Sequence, residues 1–135
     1  MYKTRIQPGE RPKKKYFFYF FRGAGGLTPV LVTIDEIDEI QKDRGAREFR
    51  LYLDIDRGEW LLPRAVYLLQ EKLNVYASFI LDGKMRELYP YSKPADVRIV
   101  VRSRGQAPAD ALRLVELVRE ALAKDGPQLS FEQAQ

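Results

Sequence analysis
Neither histidine nor cysteine occurs among the 135 residues. Without histidine the commonest general acid/base and imidazole metal ligand are missing. Without cysteine there is no nucleophilic thiol, thiolate metal site or disulfide. No apolar stretch approaches the roughly 20 residues of a membrane-spanning helix. The run Tyr16 to Phe21 is too short for a signal h-region, and no small-residue cleavage site follows it. A cytoplasmic location is the simplest reading, and the lack of cysteine is compatible with it. No cofactor motif is evident.

What is present is a chain of ordinary globular composition, 45% hydrophobic. Its length suits one domain. The formal charge of +4 is unevenly placed. Residues 1–15 hold six basic residues, Lys3, Arg5, Arg11, Lys13, Lys14 and Lys15, against Glu10. The rest carries 17 basic and 18 acidic residues and is nearly neutral. With Pro8, Gly9 and Pro12, residues 1–14 read as a basic flexible arm and residues 15–135 as a single α+β domain.

Lys15 to Arg22 is aromatic on both strand faces and predicts a strand that is covered twice or awaits a partner. Gly23 to Gly26 predicts a hairpin loop, since no Gly-Lys-Ser/Thr follows to make a phosphate loop. Val30 to Ile34 reads as a short strand. Thr33 and Glu36 have the spacing of a capping box, which predicts a short acidic helix over Asp35 to Asp43, with Ile37 and Ile40 inward and Gly45 as its stop. Glu48 to Ile55 alternates: Phe49, Leu51, Leu53 and Ile55 face a core, while Arg50, Tyr52 and Asp54 face away.

From Pro63 to Asp82 a helix is predicted, with Val66, Leu69, Leu73, Tyr76 and Ile80 as its stripe and Gly83 as its end. Glu71 and Lys72 flank that stripe and are expected to be solvated or paired at the domain edge. A loop over Glu87 to Pro94 leads to a strand marked by Val97, Ile99 and Val101. Pro108 opens a last helix with Ala111, Val115, Val118 and Leu122 inward, and Leu129 and Phe131 belong to a closing strand. Two successive strand–helix–strand units with right-handed crossovers put both long helices on one side of the sheet. The expectation is a two-layer α+β sandwich: a mixed sheet, two main helices on one face, and the short acidic helix.

Leu68-Leu69-Gln70-Glu71-Lys72-Leu73-Asn74-Val75-Tyr76, then Phe79-Ile80, Gly83 and Tyr89-Pro90, resembles a family of small bacterial proteins of unknown function. Trp60 sits where that family tends to have an Asp-Trp. The resemblance covers about residues 48–132 and fails over 1–47. The family's Asp-rich, His-containing stretch before the helix is absent here. The resemblance implies a fold and a bacterial origin, and it carries over no catalytic residue.

Asp54, Asp56 and Glu59 surround Gly58, but the calcium-loop pattern fails: Gly58 stands where an oxygen donor is needed, and Ala65 where the closing glutamate belongs. They are expected to form a turn rather than a metal site. Ser78, Ser92, Ser103 and Ser130 have no histidine to activate them. The surface that invites a function is an arginine row. Arg98, Arg102 and Arg104 share one strand face, and if that is the open face of the sheet, Arg50 and Tyr52 join it with Phe18 or Phe20 nearby. Cations beside aromatics on a sheet suit a protein interface or a second copy of the chain, with an immunity or inhibitor role against a toxin as one concrete form. They also suit single-stranded nucleic acid, with Lys13, Lys14 and Lys15 of the arm assisting. Protein contact is the leading expectation, and catalysis is not expected.

Overall fold
Alternation and helical stripes build a sheet with two long helices laid on one side. The computed structural model describes residues 2–3, 17–18, 30–32, 36–43 and 47–134. The strands are β1 (Tyr2–Lys3), β2 (Phe17–Phe18), β3 (Glu36–Ile37), β4 (Glu39–Asp43) and β5 (Glu48–Ile55). Helices α1 (Ala65–Leu81) and α2 (Lys84–Leu88) follow, then strand β6 (Val97–Arg104), helix α3 (Ala109–Ala123) and strand β7 (Gln128–Ala134). Short 3-10 turns occupy Val30–Val32, Arg57–Leu61 and Pro94–Asp96.

The main sheet has the order β1-β4-β5-β6-β7. β1 and β4 are antiparallel, as are β4 and β5, whereas β5, β6 and β7 run parallel. The parallel pairs are joined through α1 and α3, as the two strand–helix–strand units require. The result is the expected mixed sheet in a two-layer α+β sandwich. Phe49, Leu51, Leu53, Ile55, Val97, Ile99, Val101 and Leu129 pack in one cluster with Leu69, Leu73, Tyr76 and Phe79 of α1 and Ala111, Val115 and Leu122 of α3. Full burial of each large apolar side chain contributes about 1.5–3 kcal/mol. Gly83 ends α1 and Gly126 follows α3, at φ 92° and 113°, a region that side chains with a Cβ avoid.

Residues 30–32 and 36–43 depart from the expected pattern. Val30–Val32 is a 3-10 turn rather than a strand. The expected acidic helix is instead β3 and β4, interrupted at Asp38. Ile37 and Ile40 are both fully buried. A flat strand would send positions three apart to opposite faces, and the break at Asp38 lets both turn inward. The spacing that imitates a helix turn is thus a kinked strand, and pairing with β5 overrides the local capping signal. The loop expected over Glu87 to Pro94 begins inside α2 and ends at a 3-10 turn.

Of the expected basic arm, Tyr2–Lys3 form β1, while Lys13, Lys14 and Lys15 lie outside the described residues. So do Phe20, the glycine loop over 23–26 and Gly45. Phe17–Phe18 pair with β3 in a separate two-stranded sheet. Phe18 is therefore not a member of the main sheet beside Arg50 and Tyr52.

Candidate functional site
Strand pairing brings the arginine row together on the sheet face turned away from α1 and α3. Arg50 lies opposite Arg98, Tyr52 opposite Val100, and Asp54 opposite Arg102. Glu39 and Gln41 extend this face from β4, and Gln128, Ser130 and Glu132 extend it from β7. Arg104 stands exposed at the end of β6.

Three of the four guanidiniums are already held. Arg50 Nε donates to Glu48 at 2.6 Å, and Arg98 Nε reaches the other oxygen of Glu48 at 3.5 Å. Arg102 grips Asp54 with two bonds, Nε–H···Oδ1 at 2.5 Å and Nη2–H···Oδ2 at 2.9 Å. This forked geometry fixes the guanidinium plane as well as its position. The Arg102 guanidinium also lies 4.0 Å from the centre of the Tyr52 ring. The hydrogen bond to Asp54 raises the Arg102 pKa, against the opposing effect of burial, so this cation is permanent. Tyr52 and Val100, at the middle of the face, are only 7% and 2% exposed. Among the described side chains on this face, four guanidiniums, Arg50, Arg98, Arg102 and Arg104, stand beside four carboxylates, Glu39, Glu48, Asp54 and Glu132, a charge-balanced lattice.

Acids near Gly58 do not assemble a metal site. Asp54 is bound to Arg102. Glu59 is buried and accepts the backbone N–H of Leu31 and of Asp56, both at 2.9 Å. It thereby ties the 3-10 turn after β5 to the one before β3. Among the described residues no group of three acids converges on a point where an ion could sit. Two of the four serines serve the backbone: Ser92 Oγ donates to the Tyr89 carbonyl, and Ser103 Oγ donates to that of Gly105 while accepting from Trp60 Nε1. No helix among the described residues is long and apolar enough to cross a membrane.

Residues 30–135 match a family described as "Family of unknown function (DUF6572)". The chain belongs to that family. The DUF6572 match takes in β3 through β7, and so extends further toward the N-terminus than the run of residues that carries the resemblance in the sequence. No curated protein and no solved structure matches the chain.

Sequence reasoning missed the polar group at the centre of this DUF6572 fold. Lys72 is fully buried rather than solvated at an edge. Its Nζ lies 3.2 Å from Asp38 Oδ1 and 3.1 Å from Oδ2. The Tyr76 hydroxyl donates to Asp38 Oδ2 at 2.6 Å, accepts the Asp38 N–H at 3.2 Å, and stands 2.9 Å from the Tyr52 carbonyl oxygen. Burial, then the nearby Asp38 charge, pushes the Tyr76 pKa well above that of an ordinary tyrosine. The signal was present in the spacing. Position 72 falls three residues after Leu69 and four before Tyr76, inside the buried stripe, and only its charge argued for an edge.

Proposed function
We propose that this DUF6572 member is a non-catalytic bacterial interaction protein of the cytoplasm that engages a protein partner through the face bearing Arg50, Tyr52, Arg98, Arg102 and Arg104. The supporting observation is the pre-assembled lattice, in which Glu48 and Asp54 hold three arginines in place before any partner arrives. Fixed guanidiniums lose little conformational freedom on binding, and arginine is enriched among the residues that carry binding energy. Balanced charge favours a protein surface of mixed sign over a phosphate backbone, whose recognition draws on unneutralised cations. An inhibitor or immunity role fits a small domain with one prepared face, and a second copy of the chain is the other occupant of the same kind.

The test uses two exposed or half-exposed positions that leave the Asp54–Arg102 clamp intact. The full chain and its Arg50→Ala/Arg104→Ala variant are immobilised and offered extract of the source cells. One protein retained by the parent in stoichiometric amount, and lost with the variant, supports the reading. Sedimentation of both proteins over a range of concentrations detects self-association. In parallel, polarisation with labelled single-stranded and duplex DNA is read at two salt concentrations. Binding that falls steeply with salt, with nothing protein retained, replaces protein contact with nucleic-acid recognition.

A further inference from the structure
A second site lies on the other side of the sheet. Phe49 points to the helix side of β5, next to Arg50, which points away, so the sheet separates the two places. There Lys42, Arg47, Phe49, Leu88, Tyr89 and Tyr91 line a cleft of about 170 Å³. Phe49 and Tyr89 form its floor, with ring centres 4.7 Å apart and planes tilted by 51°. Tyr91 lines the same cleft with 87% of its surface exposed. Lys42 Nζ hangs 5.7 Å from the centre of the Phe49 ring. Neither Lys42 nor Arg47 forms an ion pair with a carboxylate among the described residues. Asp96 also lines the cleft, and its carboxylate accepts the backbone N–H of Lys93 at 3.1 Å. Two cations against one acid leave the rim positive.

We propose that this cleft binds a small aryl anion: one planar ring carrying a carboxylate or a phosphate. The ring stacks on Phe49 and Tyr89 alongside Tyr91, and the anionic group lies between Lys42 and Arg47. Size sets the limit to one ring, because a cavity of roughly 150 Å³ accommodates a benzene molecule whereas drug-sized ligands need roughly 300 Å³ or more. Aromatic walls favour stacking, and the uncompensated rim sets the sign of the ligand. This contrasts with the opposite face, where Arg50 and Arg98 share the Glu48 carboxylate and Arg102 holds that of Asp54. The cleft has no residue in common with that face, so either reading stands or falls alone.

The experiment is an amide NMR titration of the full chain with phenyl phosphate and with benzoate, using inorganic phosphate and benzylamine as controls. Saturable shifts at Arg47, Phe49, Tyr89, Tyr91 and Ser92 are expected with one or both aryl anions, with at least tenfold weaker response to inorganic phosphate and none to benzylamine. Lys42→Gln/Arg47→Gln should weaken binding by about tenfold or more, the scale of one lost charge-assisted hydrogen bond. Tyr91→Ala, at an exposed position, should weaken it while leaving the rest of the spectrum in place. The proposal is overturned if neither aryl anion saturates, if benzylamine or inorganic phosphate binds as well, or if the double variant binds unchanged while its spectrum shows the native fold.

Discussion

Lys72 is a cation with no access to water, and its neighbours account for how the fold tolerates it. Both Asp38 oxygens lie within 3.2 Å of Nζ, and Tyr76 donates to the same carboxylate. Removing one member of such a pair strands the other charge, which costs about 3–5 kcal/mol, whereas replacing both by apolar groups is often neutral. Lys72→Met alone should therefore lower unfolding stability in urea by that amount. Lys72→Met combined with Asp38→Leu should recover most of the loss. If the double variant is as unstable as the single one, the pair itself, and not the stranded carboxylate, supplies the stability.

Tyr76 adds a dependence on pH. Its folded pKa is raised, so between the unfolded and folded values the native chain keeps a proton that the unfolded chain has released. Stability from this group is fully present below about pH 10, the ordinary tyrosine value, and declines as pH rises above it. Thermal unfolding scanned from pH 8 to 11 should show a steeper alkaline fall for the parent than for Tyr76→Phe. Parallel curves would mean that the hydroxyl does not titrate differently in the two states.

Among the elements, β5 was legible to the residue, because a half-buried strand in a sheet covered on one side must alternate. Both long helices were legible for the matching reason, since a helix lying on a sheet buries every third or fourth residue. Residues 36–43 were not, because two isoleucines three apart fit a helix turn as well as a kinked strand, and what decides between them is pairing with β5, while Lys72 and Tyr76, more than thirty residues away, hold Asp38 at the kink. The start of α1 carries a second local conflict. Arg64 sits at φ 63°, in the left-handed region, which costs a non-glycine residue roughly 1–2 kcal/mol. Its guanidinium lies 4.3 Å from the Tyr67 ring centre, an exposed stacking worth roughly 0.5–1 kcal/mol. Arg64→Gly removes both and should leave stability unchanged or slightly higher. Arg64→Ala loses the stacking and keeps the strain, so it should unfold at lower urea than Arg64→Gly.

Across the whole molecule, the two sheet faces use charge in opposite ways. On the helix side Lys72 and Asp38 are a pair buried in the core, where losing one partner strands the other. On the other side the arginine row was legible as a row, from alternation in β6, but its neutralisation was not, since Glu48 and Asp54 come from a different strand brought alongside by the crossover through α1. Those pairs are partly solvated, with side-chain exposures from 26% to 38%. Pairs of this kind contribute about 0–1 kcal/mol each, and the carboxylates left behind remain hydrated. Arg50→Gln/Arg98→Gln/Arg102→Gln removes three cations, yet it should cost less stability in urea than Lys72→Met removes with one. Its difference from the parent should also shrink in high salt, as screening weakens exposed pairs. A triple variant less stable than Lys72→Met would make the lattice part of the structural core, and a face that must stay closed upon itself to hold the fold is poorly suited to meeting a partner.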